Sequence, residues 1–284
     1  MVSLIKLFAS DLDGTLFNVL HETDRAIISR LGRVLEGGRH VALATGRAVH
    51  HARELGFGEL PIETVSGNGA FVRDARGSLL RDVPIDPATL EELLAAFPGC
   101  CFSCIDSELT LVRGSREQFA AGYLPSRGPV GRLVAWRQRR RPSPPDQRFD
   151  QGDVDVLARR VCKVNCRTPD PGERRELDAF VAEHASTLVN ASFDGELFEL
   201  TDASVNKGEA VAWLAGWLGI GEDEVAVYGD GGNDLAMLAR FSHAYATRGA
   251  SDAAKRAAGH VIGSCALHAV PRHMLATARR EGAV

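Results

Sequence analysis

Two short acidic segments carry residue types that could do chemistry. Asp11-Leu12-Asp13-Gly14-Thr15 follows the apolar run Leu4 to Ala9, and Gly229-Asp230-Gly231-Gly232-Asn233-Asp234 follows the more apolar run Val225 to Tyr228. Each sets carboxylates where a buried strand gives way to a glycine turn, the edge at which open α/β sheets bind ligands. Like charges at close range are costly unless a proton or a cation is shared. The two clusters can converge on one hard divalent cation. Magnesium, which takes oxygen ligands and keeps several waters, suits such a set. Zinc would prefer histidine or cysteine, and neither segment contains them. Either segment alone also reads as a turn with an acidic helix cap, and it is the repetition that argues for a site.

Two further signals lie between these segments. Thr45-Gly46-Arg47 ends the apolar run His40 to Ala44, and Lys207 opens a helical stretch. A hydroxyl, backbone N–H groups and an ammonium are what a transferring phosphoryl group requires, because its equatorial oxygens need donors and positive charge. Taken singly, a Thr-Gly-Arg is a plain turn and a lysine at a helix start is a solvated one.

Together and in this order, Asp11-Leu12-Asp13-Gly14-Thr15, Thr45-Gly46-Arg47, Ser66-Gly67-Asn68-Gly69-Ala70, Asn206-Lys207-Gly208 and Gly229 to Asp234 resemble the motifs of the haloacid dehalogenase superfamily. The branch resembled is the Cof type, with a large inserted α/β (C2B-like) cap. The resemblance implies that Asp11 is a nucleophile forming an aspartyl-phosphate while Asp13 acts as general acid and then base. It implies a Mg2+ held by the Asp11 carboxylate, the Asp13 backbone carbonyl and Asp230, with Asn233 and Asp234 supporting that set from outside it. Thr45, Gly46 and Lys207 would hold the phosphoryl oxygens, and Arg47, Asn68 and Glu199 are candidates to touch substrate. Asp13 argues against an ion-pump relative, since pumps of the superfamily carry threonine there. Two segments depart from the branch pattern: Thr247-Arg248-Gly249-Ala250 stands where Gly-Asn-Ala is usual, and Cys265-Ala266-Leu267-His268-Ala269-Val270 stands where Asp-Gly-Val is usual.

The activity implied is a phosphatase acting on a small phosphorylated metabolite, a sugar phosphate or similar polyol phosphate. The same residues would serve a phosphomutase or phosphotransferase, or a catalytically silent protein that binds phosphate ligands and regulates.

The elements that must position these residues follow an alternating order. Strands at Leu4 to Ala9, His40 to Ala44 and Ile62 to Val65 are separated by helices predicted over Thr23 to Glu36 and Arg47 to Leu55, and a hairpin over Phe71 to Leu80 comes next. Asp86-Pro87 opens a helix to Phe97, followed by strands at Cys101 to Ile105, Leu109 to Val112, Val161 to Cys166, Leu188 to Ser192 and Leu197 to Leu200, with a helix from Pro171 to His184. The alternation resumes with an Asn206-capped helix to Leu218 and the strand Val225 to Tyr228, then strands at Ala244 to Ala246 and Val261-Ile262 and a helix from Val270 to Arg279. The fold class expected is α/β: a doubly wound, Rossmann-like parallel-sheet core over 1–83 and 202–284, interrupted by an α+β cap over 84–201.

Composition bounds the partners. A net charge of −4 and a pI near 6.2 leave no global basic field for nucleic acid or an anionic membrane. The N-terminal stretch matches neither a signal peptide nor a membrane span, so a cytoplasmic location is expected and the six cysteines read as reduced thiols. Cys101, Cys104, Cys162 and Cys166 suit small buried strand positions better than a zinc knuckle. His50-His51 point apart on a helix and read as surface groups. Glu199 stands between a substrate contact and a strand salt bridge, and Arg139-Arg140-Arg141 reads as part of a solvated loop. Nothing in the sequence speaks to oligomeric state.

Overall fold

The computed structural model describes residues 4–122, 145–168, 170–192 and 197–283, so Arg139 to Arg141 fall outside the described residues. The chain divides into two compact units, one running to Asp82 and resuming at Val205, the other Val83–Ser204.

The first unit is built on an eight-stranded sheet in the order β14-β13-β12-β1-β2-β3-β4-β5. Its strands, numbered along the chain, are β1 (Leu7–Ser10), β2 (His40–Ala44), β3 (Glu63–Ser66), β4 (Phe71–Arg73), β5 (Leu79–Asp82), β12 (Val225–Gly229), β13 (His243–Ala246) and β14 (His260–Val261). Pairing is parallel from β14 through β3, and β4 and β5 add an antiparallel edge. Strand order therefore reverses at β1: the first half of the chain winds one way from it and the second half the other.

Alternation along the strands supplies two cores. Leu7, Ala9, Val225 and Val227 face α6 (Lys207–Trp217), α7 (Leu235–Arg240) and α8 (Asp252–Ala258). Phe8, Val41, Ala226 and Tyr228 face α1 (Arg25–Glu36) and α9 (Ala269–Arg280). Helices thus cover both faces, as the doubly wound reading requires, and the central strands are buried throughout.

The second unit has a six-stranded sheet, β10-β11-β9-β6-β7-β8, mostly antiparallel. Its strands are β6 (Phe102–Ile105), β7 (Thr110–Arg113), β8 (Gln147–Arg148), β9 (Lys163–Arg167), β10 (Leu188–Asn190) and β11 (Leu197–Asp202). One sheet face, with Phe102, Val164 and Leu200, packs on Leu90 and Leu93 of α2 (Pro87–Ala96), Val156 of α4 (Asp153–Leu157) and Leu177 of α5 (Pro171–Glu183). A further short helix, α3 (Arg116–Gly122), follows β7. Among the described residues no helix is long and apolar enough to cross a membrane.

Two local expectations change. The helix predicted over Arg47 to Leu55 is only a 3-10 turn, Ala52–Leu55. The reason lies in its backbone acceptors: the Arg47 carbonyl accepts from the Gly67 amide at 3.0 Å and the Val49 carbonyl from the Ser66 hydroxyl at 3.2 Å, so neither feeds a helical ladder. Helices α7 and α8 were not foreseen. The hairpin expected over Phe71 to Leu80 is present: its turn spans Asp74 to Ser78, with the Asp74 carboxylate accepting the Arg76 and Ser78 amides and Gly77 at φ +84°.

Candidate active site

Five parallel strands deliver the site. Asp11 follows β1, Thr45 follows β2, Asn68 lies just past β3, Asp230 follows β12 and Thr247 follows β13, all at the carboxyl edge of the sheet next to the reversal point. The Asp11 amide donates to the Tyr228 carbonyl at 2.9 Å and the Thr45 amide to the Val65 carbonyl at 2.8 Å, which extends the ladder one residue beyond the strands and fixes both side chains.

Glycines make the approach possible. Gly14 has φ +78°, and a Cβ there would lie 2.3 Å from Asp230 Oδ2. The turn after β1 can therefore pass against the second acidic cluster only because that side chain is missing. At Gly69 the obstacle is backbone: a Cβ would lie 2.6 Å from the Asn206 carbonyl oxygen, so the loop after β3 abuts the start of α6.

Lys207 is the first residue of α6, held by the Asn206 cap whose side chain accepts the Glu209 amide at 2.9 Å. Its ammonium is fully buried and donates to Asp11 Oδ1 at 2.6 Å and Asp234 Oδ1 at 2.7 Å. Asp234 Oδ2 accepts the amides of Asp230 and Gly231, so this carboxylate is fully engaged in shaping the turn. Asp230 Oδ1 accepts the Thr15 hydroxyl at 2.8 Å. Carboxylate oxygens of Asp11, Asp230 and Asp234 all lie within 4.8 Å of one another.

The electrostatics follow from that crowding. Burial pushes the Asp11 carboxyl up to about 8 against the pull of Lys207, and Asp234 and Asp230 push it the same way. Burial also raises Asp230, with Asp234 adding to it. For Lys207, burial works downward, but Asp11 and Asp234 outweigh it and hold the ammonium charged. The excess is negative: three carboxylates share one ammonium. A donor set made only of oxygens, already desolvated and short of positive charge, fits a hard divalent cation such as Mg2+. Among the described residues no histidine or cysteine cluster offers a rival metal site, and all six cysteines are free thiols.

Asp13 points elsewhere. It receives Arg47 through Nε at 3.1 Å and Nη2 at 2.8 Å, and His21 Nδ1 lies 2.9 Å from Oδ1. Arg47 also lies over the Phe17 ring at 5.3 Å. Thr45 Oγ1 accepts the Arg47 amide at 3.1 Å, and a Cβ on Gly46 would meet Asn68 Oδ1 at 3.0 Å. Asn68 is buried with φ +60°, its Oδ1 accepting the Asn233 amide nitrogen at 3.1 Å, so it ties two loops of the site together. Asp11, Asp13, Thr45, Gly46, Arg47, Asn68, Lys207, Asp230, Asn233 and Asp234 thus all belong to the first unit. Glu199 belongs to the second, where it accepts an ion pair from the buried Lys163 on the neighbouring strand β9.

Three residues without an assigned role from the sequence also shape the site. Thr15 was visible in its motif but not as the partner of Asp230. Thr247 donates through Oγ1 to the Gly14 carbonyl at 3.1 Å, so the atypical 247–250 segment still closes on the acidic turn. His21 reaches Asp13 from a left-handed backbone, φ +58°, in a turn organised by the Asn18 side chain. No local pattern marks such a histidine.

The chain is similar to known proteins over most of its length. The model of the haloacid dehalogenase-like hydrolase family matches residues 8–274. Among curated relatives, phosphatase YwpJ of Bacillus subtilis is 26% identical over 260 residues, covering 82% of this chain and 86% of that protein. The 5-amino-6-(5-phospho-D-ribitylamino)uracil phosphatase YwtE of the same organism is 25% identical over 275 residues, covering 88% and 90%. A solved haloacid dehalogenase-like hydrolase from B. subtilis superposes with a TM-score of 0.79 at 23% identity, over 95% of this chain and 99% of that one.

Proposed function

Because this chain belongs to the haloacid dehalogenase-like hydrolase family, in its Cof-type branch, we propose that it is a phosphatase that hydrolyses a small phosphorylated metabolite with Mg2+ at the acidic site. The observation that carries the reading is the cluster of buried Asp11 and Asp234, both paired with Lys207, and half-buried Asp230 beside them, with more negative charge than the ammonium can balance. The curated relatives named as phosphatases support the reaction class.

In this mechanism Asp11 attacks phosphorus in line, the bond from phosphorus to the ester oxygen breaks, and Asp13 gives that oxygen a proton. Water then attacks the aspartyl-phosphate, giving its proton to Asp13 and releasing Asp11 and inorganic phosphate. The Thr45 hydroxyl and the Lys207 ammonium hold phosphoryl oxygens, and Asn68 and Asn233 keep the loops that carry them in register. Asp13 must exchange Arg47 and His21 for the leaving oxygen as substrate enters. Mg2+, held by Asp11, Asp230 and the Asp13 carbonyl, would neutralise charge on the transferring group. A sugar phosphate or similar polyol phosphate is the substrate class we favour, with Val83–Ser204 acting as the cap.

The test is Asp11→Asn. Turnover of an aryl phosphate in Mg2+ should fall to background while the far-ultraviolet circular dichroism stays unchanged; retained turnover would overturn the assignment. Solvent oxygen-18 should enter the released phosphate, which a mutase would not do.

A further inference from the structure

Away from the acidic site, α1 and α9 of the first unit frame a groove of about 560 Å3. It is lined by Arg25, Ser29, Arg30 and Arg33 from α1 and by Leu275 and Arg279 from α9. Arg25, Ser29 and Arg33 recur every four residues and so share a helix face, as do Leu275 and Arg279. Four arginines therefore line one groove, and no carboxylate is among its lining residues.

Their neighbours do not neutralise them. Arg30 donates to the Ala26 carbonyl of its own helix at 2.7 Å, and among the described residues Arg25, Arg33 and Arg279 meet no acidic partner. By contrast Arg39, Arg47, Arg53 and Arg240 of the same unit pair with Glu281, Asp13, Glu59 and Glu222. The chain as a whole carries −4, so this field is opposite in sign to that of the molecule and is built against repulsion between like charges on one helix face. Guanidinium forks bind phosphate oxygens two at a time, and Ser29 adds a hydroxyl donor. The groove lies within the size range of small-ligand sites, roughly 300–1,000 Å3. No aromatic side chain lines it, so it lacks the stacking platform that single-stranded nucleic acid uses.

We propose that the α1/α9 groove is a binding site, separate from the acidic site, for a small polyanion bearing two or more phosphate groups. The four arginines would hold the phosphates and Leu275 would form an apolar floor.

Inorganic tripolyphosphate is the probe, titrated calorimetrically into the full chain in EDTA, where the metal-free carboxylates of the acidic site repel anions. The expected result is one saturable site, weakened about tenfold or more in Arg33→Ser/Arg279→Ser, and weakened also as salt rises from about 0.05 M to about 0.5 M. The Arg33→Lys/Arg279→Lys protein should keep most of the binding, and all three proteins should share one circular dichroism spectrum and melting temperature. Absence of saturable binding, or equal binding by the wild type and the serine protein, would overturn the proposal. Tighter binding of a duplex oligonucleotide through the same arginines would replace the small polyanion with nucleic acid.

Discussion

Lys207 carries a positive charge into the interior at the place a helix least favours a cation, its own N-terminus, where the macrodipole is positive. It is tolerated because two carboxylates accept from it at once. Replacing it by methionine leaves Asp11 and Asp234 buried without their cation, and breaking a buried pair this way costs about 3–5 kcal/mol. Lys207→Met should show that loss in urea unfolding without divalent metal, and millimolar Mg2+ should restore part of it; an unchanged midpoint would mean the ammonium does not balance the site. Gly14 is the steric counterpart. Gly14→Ala would combine a positive φ with a Cβ inside the radius of Asp230, so we expect turnover to fall more than tenfold and stability by about 1–3 kcal/mol. Activity near wild type would contradict the close packing of the two acidic turns. At this scale the acids, Thr45 and Lys207 were legible because each sits where an apolar run or helix start meets a glycine. The partners of Thr15 and Thr247 were not, since they lie 215 and 233 positions away in the chain.

At the scale of elements, α1 shows how one side chain can serve both a helix and the loop before it. Asp24 accepts the amides of Ala26 and Ile27 at 2.9 and 3.0 Å, and its other oxygen meets Asn18 and His268. Partial burial pushes its carboxyl up, but the Ile27 amide and the Asn18 and His268 contacts outweigh this and bring it down to about 2. A carboxyl depressed in the folded state stabilises above its unfolded pKa near 4, and that stabilisation disappears as pH falls through the folded value. Asp24→Ala should therefore cost about 1 kcal/mol at neutral pH, the usual size of an N-cap, and the gap to wild type should close between about pH 4 and pH 2. A gap independent of pH in urea melts would assign the loss to packing instead. Elements of this kind were readable from the chain where caps and periodicity agreed, as at Asp86-Pro87 and Asn206. The Arg47 to Leu55 segment departs from its apolar spacing, which is helical, because two of its carbonyls are claimed by Ser66 at the end of β3 and Gly67 just after it. That competition between local pattern and a distant donor has no trace in the sequence itself.

The molecule as a whole is discontinuous in sequence but continuous in its sheet: β1 pairs with β12 across more than two hundred residues, Leu7 opposite Val225, while Val83–Ser204 has a hydrophobic core of its own. A ligand that binds only the folded form stabilises what it binds by mass action, about 2.7 kcal/mol at a hundred times its dissociation constant. Every acid proposed to hold the metal belongs to the unit formed from the two ends of the chain. Mg2+ should therefore slow amide exchange in β1, β2 and β12, whose carboxyl ends meet at the acidic site, and leave β6, β9 and β11 at their metal-free rates. Exchange followed by mass spectrometry on peptides from each strand reads this directly. Asp230→Asn should remove the effect in the first unit without altering exchange in the second. Equal protection of both sheets by Mg2+, or protection that survives Asp230→Asn, would mean that the ion acts somewhere other than the acids gathered at the edge of the parallel sheet.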